Sequence, residues 1–417
     1  MEILESGKKN IVILGAGFGG ITALLKLRSA LARQKLLGFY NLVLINNRSY
    51  HLYTPALYEI ASLPRGDAAA LPLKSAICIP IADILERFGG VGFIGEEVQK
   101  LDPRTHVITF RSGNQISFEY VIIALGAETN FFDVPGLAEH SFPLKTFEDA
   151  VYFRNKAEEI AAGKKDVIRA IVGGGGPAGV EFSAELTNFF CRLKEKRTIG
   201  QCRAEIILMD SRSEILSGFS ASVIRKSRRR LKKLGVKVMT LSTIKRVTAS
   251  EAALEGGHAV RYDLLIWSGG VKPASVLKNF GLTLDNNGAV VVNKMLEARP
   301  QIYAIGDCAS FINPRTGRPL PRNVPVAEAS AGLAAANILA NIMRRKPQEF
   351  ALARIYPYIL AVGGKYALTD LVIVRFSGFL GWLLKQVVEL RYLISILPAR
   401  KAAAMWLRAV YYSSAND

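Results

Sequence analysis

Short, uniformly apolar runs closed by glycine, each followed by a helix-period stretch, set the plan of this chain. Asn10-Ile-Val-Ile-Leu14 predicts a buried strand, Gly15-Ala-Gly-Phe-Gly-Gly20 breaks it, and a helix pattern continues to about Leu31. The same order returns at Ala170-Ile-Val-Gly-Gly-Gly-Gly-Pro-Ala-Gly179, with helix-period residues from Val180 to Phe190. A further strand follows each, Leu42 to Ile45 and Glu205 to Met209. Strand, glycine turn, helix and strand open a βαβ unit, and two copies imply parallel sheets in a duplicated architecture.

Apolar strands at Tyr120-Val-Ile-Ile-Ala-Leu-Gly126, Asp263-Leu-Leu-Ile-Trp267 and Ile302-Tyr-Ala-Ile-Gly-Asp307 extend the pattern. The expected fold class is therefore α/β, with two Rossmann-like dinucleotide-binding domains, the second inserted in the first. Residues 1–145 and 266–335 are expected to form the interrupted domain, 146–265 the insertion, and 336–417 a C-terminal domain.

The C-terminal pattern differs. Leu383, Val387, Leu390, Ile394 and Leu397 recur at four-three spacing on one helix face, with Lys385, Glu389 and Ser395 elsewhere. Pro398 ends that helix, and Ala399, Ala403, Trp406 and Val410 line a second. A spanning helix needs about 20 mostly apolar residues, and Lys385, Glu389 and Arg391 interrupt the best window. Such amphipathic helices lie on a membrane or pack on the protein's own core or a second copy; periodicity alone leaves these open.

Composition narrows the classes. A chain of 417 residues needs two or three cores, and with half its residues apolar and several of its 36 glycines in dense clusters, global disorder is excluded. Lys and Arg number 54 against 35 Asp and Glu, a formal charge of +19. That field favours anionic partners: nucleotide phosphates, an acidic leaflet or nucleic acid. The densest basic run, Arg225 to Lys233, predicts a helix with a solvated face and lacks interleaved aromatics. Cys78, Cys191, Cys202 and Cys308 form no C-x-x-C pair, so neither a metal site nor a dithiol is expected. A strand begun by Ile11 leaves no secretory leader expected.

The glycine turns carry the chemistry. Gly15, Gly17 and Gly20 form G-x-G-x-x-G between strand and helix, and Gly174, Gly176 and Gly179 repeat it. The first glycine permits the turn, the second lets a pyrophosphate approach the backbone, and the third lets the helix pack close. Two such motifs imply two dinucleotides. Asp210, ending the strand after the second motif, can accept ribose hydroxyls and repel a 2′-phosphate, which favours NADH over NADPH; Arg212 weakens that preference. The matching position after the first motif holds Asn46. Asp307, just past a buried strand, suits a hydrogen bond to a flavin's ribityl chain or the N-cap of a helix.

Gly15 to Gly20, Tyr50-His-Leu-Tyr-Thr-Pro-Ala-Leu-Tyr-Glu59, Val172 to Leu186, Gly306-Asp-Cys-Ala309 and Phe376 to Leu384 together resemble the type II NADH:quinone oxidoreductase family. The resemblance spans most of the chain. It implies FAD in the first domain and NADH in the insertion, with two electrons passed to a quinone and no proton pumping. It also implies a peripheral protein on the cytoplasmic face of the cell membrane, docked by its C-terminal helices and able to form a homodimer. Expected FAD contacts are Gly15, Gly17, Gly20, Asn46, Thr54, Ala124, Gly126 and Asp307. Expected NADH contacts are Gly174, Gly176, Gly179, Glu181, Asp210 and Gly270.

The resemblance also sets Glu181 near the nicotinamide as the catalytic candidate; the plain alternative is a first-turn acid favoured by the helix dipole. The family's quinone-site glutamines are missing from Val324-Pro-Val-Ala-Glu-Ala329, leaving Pro325, Val326 and Glu328 as candidates. Two other readings stand beside this one. A sulfide:quinone oxidoreductase would need a cysteine pair flanking the flavin, and a basic flavoprotein could bind nucleic acid, although no nucleic-acid partner is expected.

Overall fold

The computed structural model describes residue 5 and residues 7–68, 72–163, 167–195, 203–313, 317, 319–351 and 357–415. Cys202 lies outside them. The elements used below, in chain order, are β1 (Lys9–Leu14), α1 (Phe18–Arg33), β2 (Tyr40–Ile45), β3 (Val91–Ile94), β4 (Tyr120–Ile123) and β5 (Phe142–Pro143). Next come α2 (Phe147–Ala162), β6 (Val167–Gly173), α3 (Pro177–Glu195), β7 (Arg203–Met209), α4 (Ala221–Lys233), β8 (Lys237–Met239) and β9 (Leu264–Trp267). The chain ends with β10 (Glu297–Arg299), β11 (Ile302–Ala304), α5 (Val324–Ile342), β12 (Tyr358–Ala361), β13 (Ala367–Asp370), β14 (Arg375–Gly378), α6 (Phe379–Ile396) and α7 (Ala399–Ala415).

The first sheet has the order β10-β11-β4-β1-β2-β3, parallel except for β10. The second, β5-β9-β6-β7-β8, is wholly parallel and is completed before the chain returns to β10 and β11. Strands buried on both faces read as unbroken apolar runs, which is why these were visible in the sequence. In β1, Ile11 and Ile13 pack with Leu24, Leu27 and Leu31 of α1, whereas Val12 and Leu14 face Ile108, Phe110, Leu277 and Phe280. The duplication extends further: each sheet is accompanied by a three-stranded antiparallel meander, residues 98–117 in one case and 244–261 in the other.

The third sheet, β12-β13-β14, is antiparallel and leads into α6. Helix α5 runs unbroken through residue 335, where a boundary was expected, and packs with α1 on the first sheet. The core-facing side of α7 is Ala402, Met405, Ala409 and Tyr412, one position away from the expected Ala399, Ala403, Trp406 and Val410.

Helix α6 is turned inside out. It buries Gly381, Trp382, Gln386, Glu389, Leu393 and Ile396 and exposes Phe379, Leu380, Leu383, Val387, Val388 and Ile394. Of the expected apolar stripe, Leu383, Val387 and Ile394 face outward and Leu397 packs inward. Among the described residues no helix is long and apolar enough to cross a membrane.

Candidate active site

The two glycine turns are built alike. The Gly15 N–H donates to the Ile45 carbonyl at 2.8 Å, and the Gly174 N–H to the Met209 carbonyl at 2.8 Å. A Cβ on Gly20 would lie 1.8 Å from the Gly15 carbonyl oxygen, and one on Gly179 would lie 1.9 Å from that of Gly174. These outer glycines let each helix press against its strand. Gly17 and Gly176 differ: a Cβ at either meets nothing within 4 Å, and each lines a cavity. Neither α1 nor α3 has an acid in its first turn, so no carboxylate from the helix itself occupies the positive end that faces each cavity. This is the arrangement a pyrophosphate needs.

Asn46 and Asp210 occupy equivalent places. The Asn46 Oδ1 accepts from the Ala16 N–H at 3.0 Å, and the Asp210 Oδ2 from the Gly175 N–H at 2.6 Å. Each ties the end of the second strand to the residue after the first glycine. Asn46 also donates to the Arg48 carbonyl at 2.7 Å, while Asp210 accepts from the Arg212 N–H at 2.7 Å. A carboxylate oxygen has lone pairs to spare after one such bond, so Asp210 retains acceptor capacity for ribose hydroxyls.

The first cavity, about 590 Å³, is lined by Gly17, Asn46, Thr54, Ala124, Gly126 and Asp307, and also by Glu181 and Gly270. The second, about 680 Å³, is lined by Gly174, Gly176, Asp210, Arg212 and Lys245 among others. Gly270 thus lines the first cavity rather than the second, where its neighbour Gly269 stands. Trp267 and Ser268 line both and form the wall between them. The indole Nε1 donates to the Asn130 carbonyl at 2.7 Å, which fixes the ring. These fits match FAD in the first cavity: a cradle open at Gly17, an acceptor at Asp307, and length enough to reach the shared wall. Asp307 sits in a short 3₁₀ turn and caps no helix. Burial raises its carboxyl above the usual range, with Lys145 and Arg322 pulling the other way.

Glu181 is not a first-turn acid, because it is the fifth residue of α3. Its Oε1 accepts from the Ala361 N–H at 3.2 Å, from the third sheet. Burial pushes its carboxyl up to about 8, opposed by Lys385 and that hydrogen bond and assisted by Glu59. Glu389 is likewise pushed up to about 7 by burial, against the pull of Lys385. Lys385 forms an ion pair with Glu59, and both are largely buried. Burial pulls the ammonium of Lys385 down, but Glu59, Glu389 and Glu181 outweigh it and hold it well above its ordinary value. A buried lysine therefore sits among carboxylates contributed by three separate parts of the chain. Sequence reasoning missed Glu59, Lys385, Glu389, Trp267 and Lys145. Lys385 and Glu389 were visible only as polar interruptions, four residues apart and off the apolar stripe.

Of the quinone candidates, Val326 is 2% exposed and packs in the core. Its N–H bonds the Asn323 cap at 3.0 Å. Glu328 is raised by burial and pulled back by Arg391 of α6. Val324 and Ala327, rather than Pro325, Val326 or Glu328, line the first cavity. His51 is fully buried, and its Nδ1 lies 2.7 Å from the Ala16 carbonyl. That carbonyl can only accept, so Nδ1 carries the proton and Nε2 accepts from the Tyr392 hydroxyl at 2.8 Å. Burial lowers His51 to about 4, so the ring is neutral and structural. Cys308 is fully buried, Cys191 is exposed, and no cysteine lines either cavity among the described residues. Nor could any group of three described His, Cys, Asp or Glu side chains hold a metal.

The chain resembles a probable NADH dehydrogenase of Dictyostelium discoideum, 25% identical over 435 residues that cover 99% of this chain and 91% of that protein. A type II NADH:quinone oxidoreductase of Staphylococcus aureus is 26% identical over 365 residues, covering 83% of this chain and 86% of that one. The fold matches NDH2 of Plasmodium falciparum, solved with NADH, at a TM-score of 0.79 and 18% identity over 98% of this chain and 99% of that one. It also matches the sulfide:quinone oxidoreductase of Aquifex aeolicus at a TM-score of 0.78 and 22% identity, covering 94% and 92%. Residues 9–331 match the family model for pyridine nucleotide-disulphide oxidoreductases, and with the paired glycine cradles they show that this chain belongs to that family.

Proposed function

We propose that this chain is an FAD-dependent oxidoreductase that takes a hydride from NADH and passes two electrons to a membrane quinone without pumping protons. The observation that carries the reading is the pair of cavities, each with an open glycine at a helix N-terminus, meeting at the Trp267–Ser268 wall beside Glu181. Bound FAD supplies hydride uptake and electron release. The chain's own residues bind and orient. Gly15, Gly17 and Gly20 floor the FAD phosphates, Asp307 takes ribityl hydroxyls, and Thr54, Ala124 and Gly126 wall the ring's approach. Gly174, Gly176 and Gly179 floor the NADH phosphates, Asp210 accepts the ribose hydroxyls, and Gly270 and Glu181 face the nicotinamide. Pro325 and Glu328 remain the quinone-side candidates, with Val324 and Ala327 added and Val326 withdrawn.

The test is an anaerobic titration. NADH is expected to bleach the flavin stoichiometrically, and a soluble quinone to restore it. Flavin-loaded protein that NADH leaves yellow would sink the proposal. The sulfide-relay alternative is disfavoured because no described cysteine lines either cavity, and the inserted domain keeps an intact second cradle.

Glu181 supplies a pH signature. Its proton is held at neutral pH and leaves as pH rises through about 8. The carboxylate then favours the positive ring left by hydride loss, so flavin reduction by NADH should accelerate across that range. In Glu181→Gln the rate above pH 8 should fall about tenfold or more, and the pH dependence should be lost. Stopped-flow traces of equal slope and pH profile in both proteins would remove Glu181 from the mechanism.

Docking at the membrane is assigned to the outward stripe of α6, on the cytoplasmic face, with a homodimer as a further assembly. A helix that turns Lys385 and Glu389 inward and presents Leu380, Leu383 and Val387 is suited to an apolar solvent.

A further inference from the structure

The free end of the third sheet is apolar and uncovered. Strands β13 and β14 join through Leu371-Val-Ile-Val374, and all four side chains are exposed, Ile373 by 93%. The tip is nevertheless a built turn. The Leu371 N–H donates to the Val374 carbonyl at 2.9 Å, and Asp370 accepts from the Val372 N–H at 2.8 Å and from Arg375 Nε at 2.7 Å. Val372 is held at a φ of 76°, a strained setting for a β-branched residue. A strained, ordered and wholly apolar tip in water costs stability, which argues that it is kept for contact with something apolar. Strand β14 leads directly from it into the outward stripe of α6.

The basic helix α4 belongs beside this tip. Just before it, Phe219 packs edge-on against Tyr358 at 4.7 Å, and the Tyr358 hydroxyl reaches Asp370 at 3.4 Å, at the base of the tip. Near its far end, Arg230 donates to the carbonyls of Val362 and Gly363 at 3.1 and 2.8 Å and lies over Tyr366. Helix α4 is therefore strapped along the third sheet although it comes from the inserted domain. Arg225, Lys226 and Arg229 are exposed, and none has an ion-pair partner among the described residues.

We propose that the Leu371–Val374 tip and the basic face of α4 form one membrane contact selective for anionic lipid. The tip enters the boundary between headgroups and acyl chains, and Arg225, Lys226 and Arg229 hold lipid phosphates beside it. This rests on the reading of α6 as lipid-facing, and adds that the NADH-binding half is itself fastened to the leaflet.

The test is flotation of flavin-loaded full-length protein with vesicles of pure phosphatidylcholine and of an equal mixture with phosphatidylglycerol. The native protein should prefer the anionic vesicles in a salt-dependent manner. Combined Arg225→Gln, Lys226→Gln and Arg229→Gln should weaken that binding by about 100-fold, since each basic residue near such a leaflet contributes about fivefold. It should leave the phosphatidylcholine value unchanged. Ile373→Asp should weaken binding to both vesicles, and all these variants should keep native turnover with NADH and a soluble quinone. Native preference surviving the triple change, or Ile373→Asp binding as the native chain does, overturns the proposal. So does salt-sensitive duplex DNA binding lost in the triple variant while its vesicle binding stays intact, or a native dimer that Ile373→Asp splits without loss of flotation. Native protein that floats with neither vesicle defeats the α6 reading itself. Leu380→Asp abolishing flotation while the tip and α4 variants float normally defeats only this proposal.

Discussion

Replacing Gly17 with aspartate should give folded protein that has lost its flavin. A side chain at residue 17 meets nothing within 4 Å, so the polypeptide tolerates it. The carboxylate, however, would stand at the positive end of α1, where the FAD phosphates are to lie, and like charges placed together cost several kcal/mol. Affinity for FAD should fall by about 100-fold or more, read as absorbance near the flavin bands after gel filtration, with thermal unfolding followed in parallel. The equivalent Gly176→Asp should keep its flavin, which dithionite reduces and NADH no longer does. Gly20→Ala is the contrasting case: its Cβ would fall 1.8 Å from the Gly15 carbonyl oxygen, and the unit should fail to fold. Stoichiometric flavin in Gly17→Asp would mean that the first cavity is not the FAD site.

Lys385→Met should be the most damaging single change to stability outside the cradles. The ammonium is buried against Glu59 and is the charge that restrains Glu389 and Glu181. Removing one partner of a buried ion pair typically costs about 3–5 kcal/mol. The pH dependence has a definite sign. Glu181 and Glu389 titrate near 8 and 7 when folded, above the ordinary value of 4.5. The folded state therefore holds protons that the unfolded chain releases, and stability declines as pH rises from about 4.5 through that range. Without Lys385 those carboxyls move higher still, so the variant should be closest to native stability near pH 5 and fall further behind towards pH 8. Urea midpoints at the two pH values check this; an equal deficit at both would show that the lysine does not restrain the cluster.

The parallel sheets were legible because Ile11–Leu14 and Ala170–Val172 are buried on both faces, and their glycine turns mark where phosphates belong. The antiparallel meanders were not, since their strands are short and half-exposed, with no strong alternation. The motif spacing also anticipates the tight packing at Gly20 and Gly179, while Gly17 and Gly176 face open space. What could not be read was which face of α6 turns inward. Periodicity separates Leu383 and Val387 from Lys385 and Glu389, but it assigns the polar side to water by default. Here the polar side meets Glu59 and Glu181, from parts of the chain more than two hundred residues distant. Trp267 escaped notice for a similar reason: at the end of β9 it reads as one more strand residue, and only the fold makes it a partition.

An inverted amphipathic helix changes what the isolated protein does in plain buffer. On the proposed docking of α6, the protein taken off a bilayer carries an uncovered oily ridge that cannot be tucked away, because rotating α6 would drag a lysine and a glutamate out of their buried setting. The ridge must find other company, so aggregation that mild detergent disperses is the expected behaviour of the isolated protein.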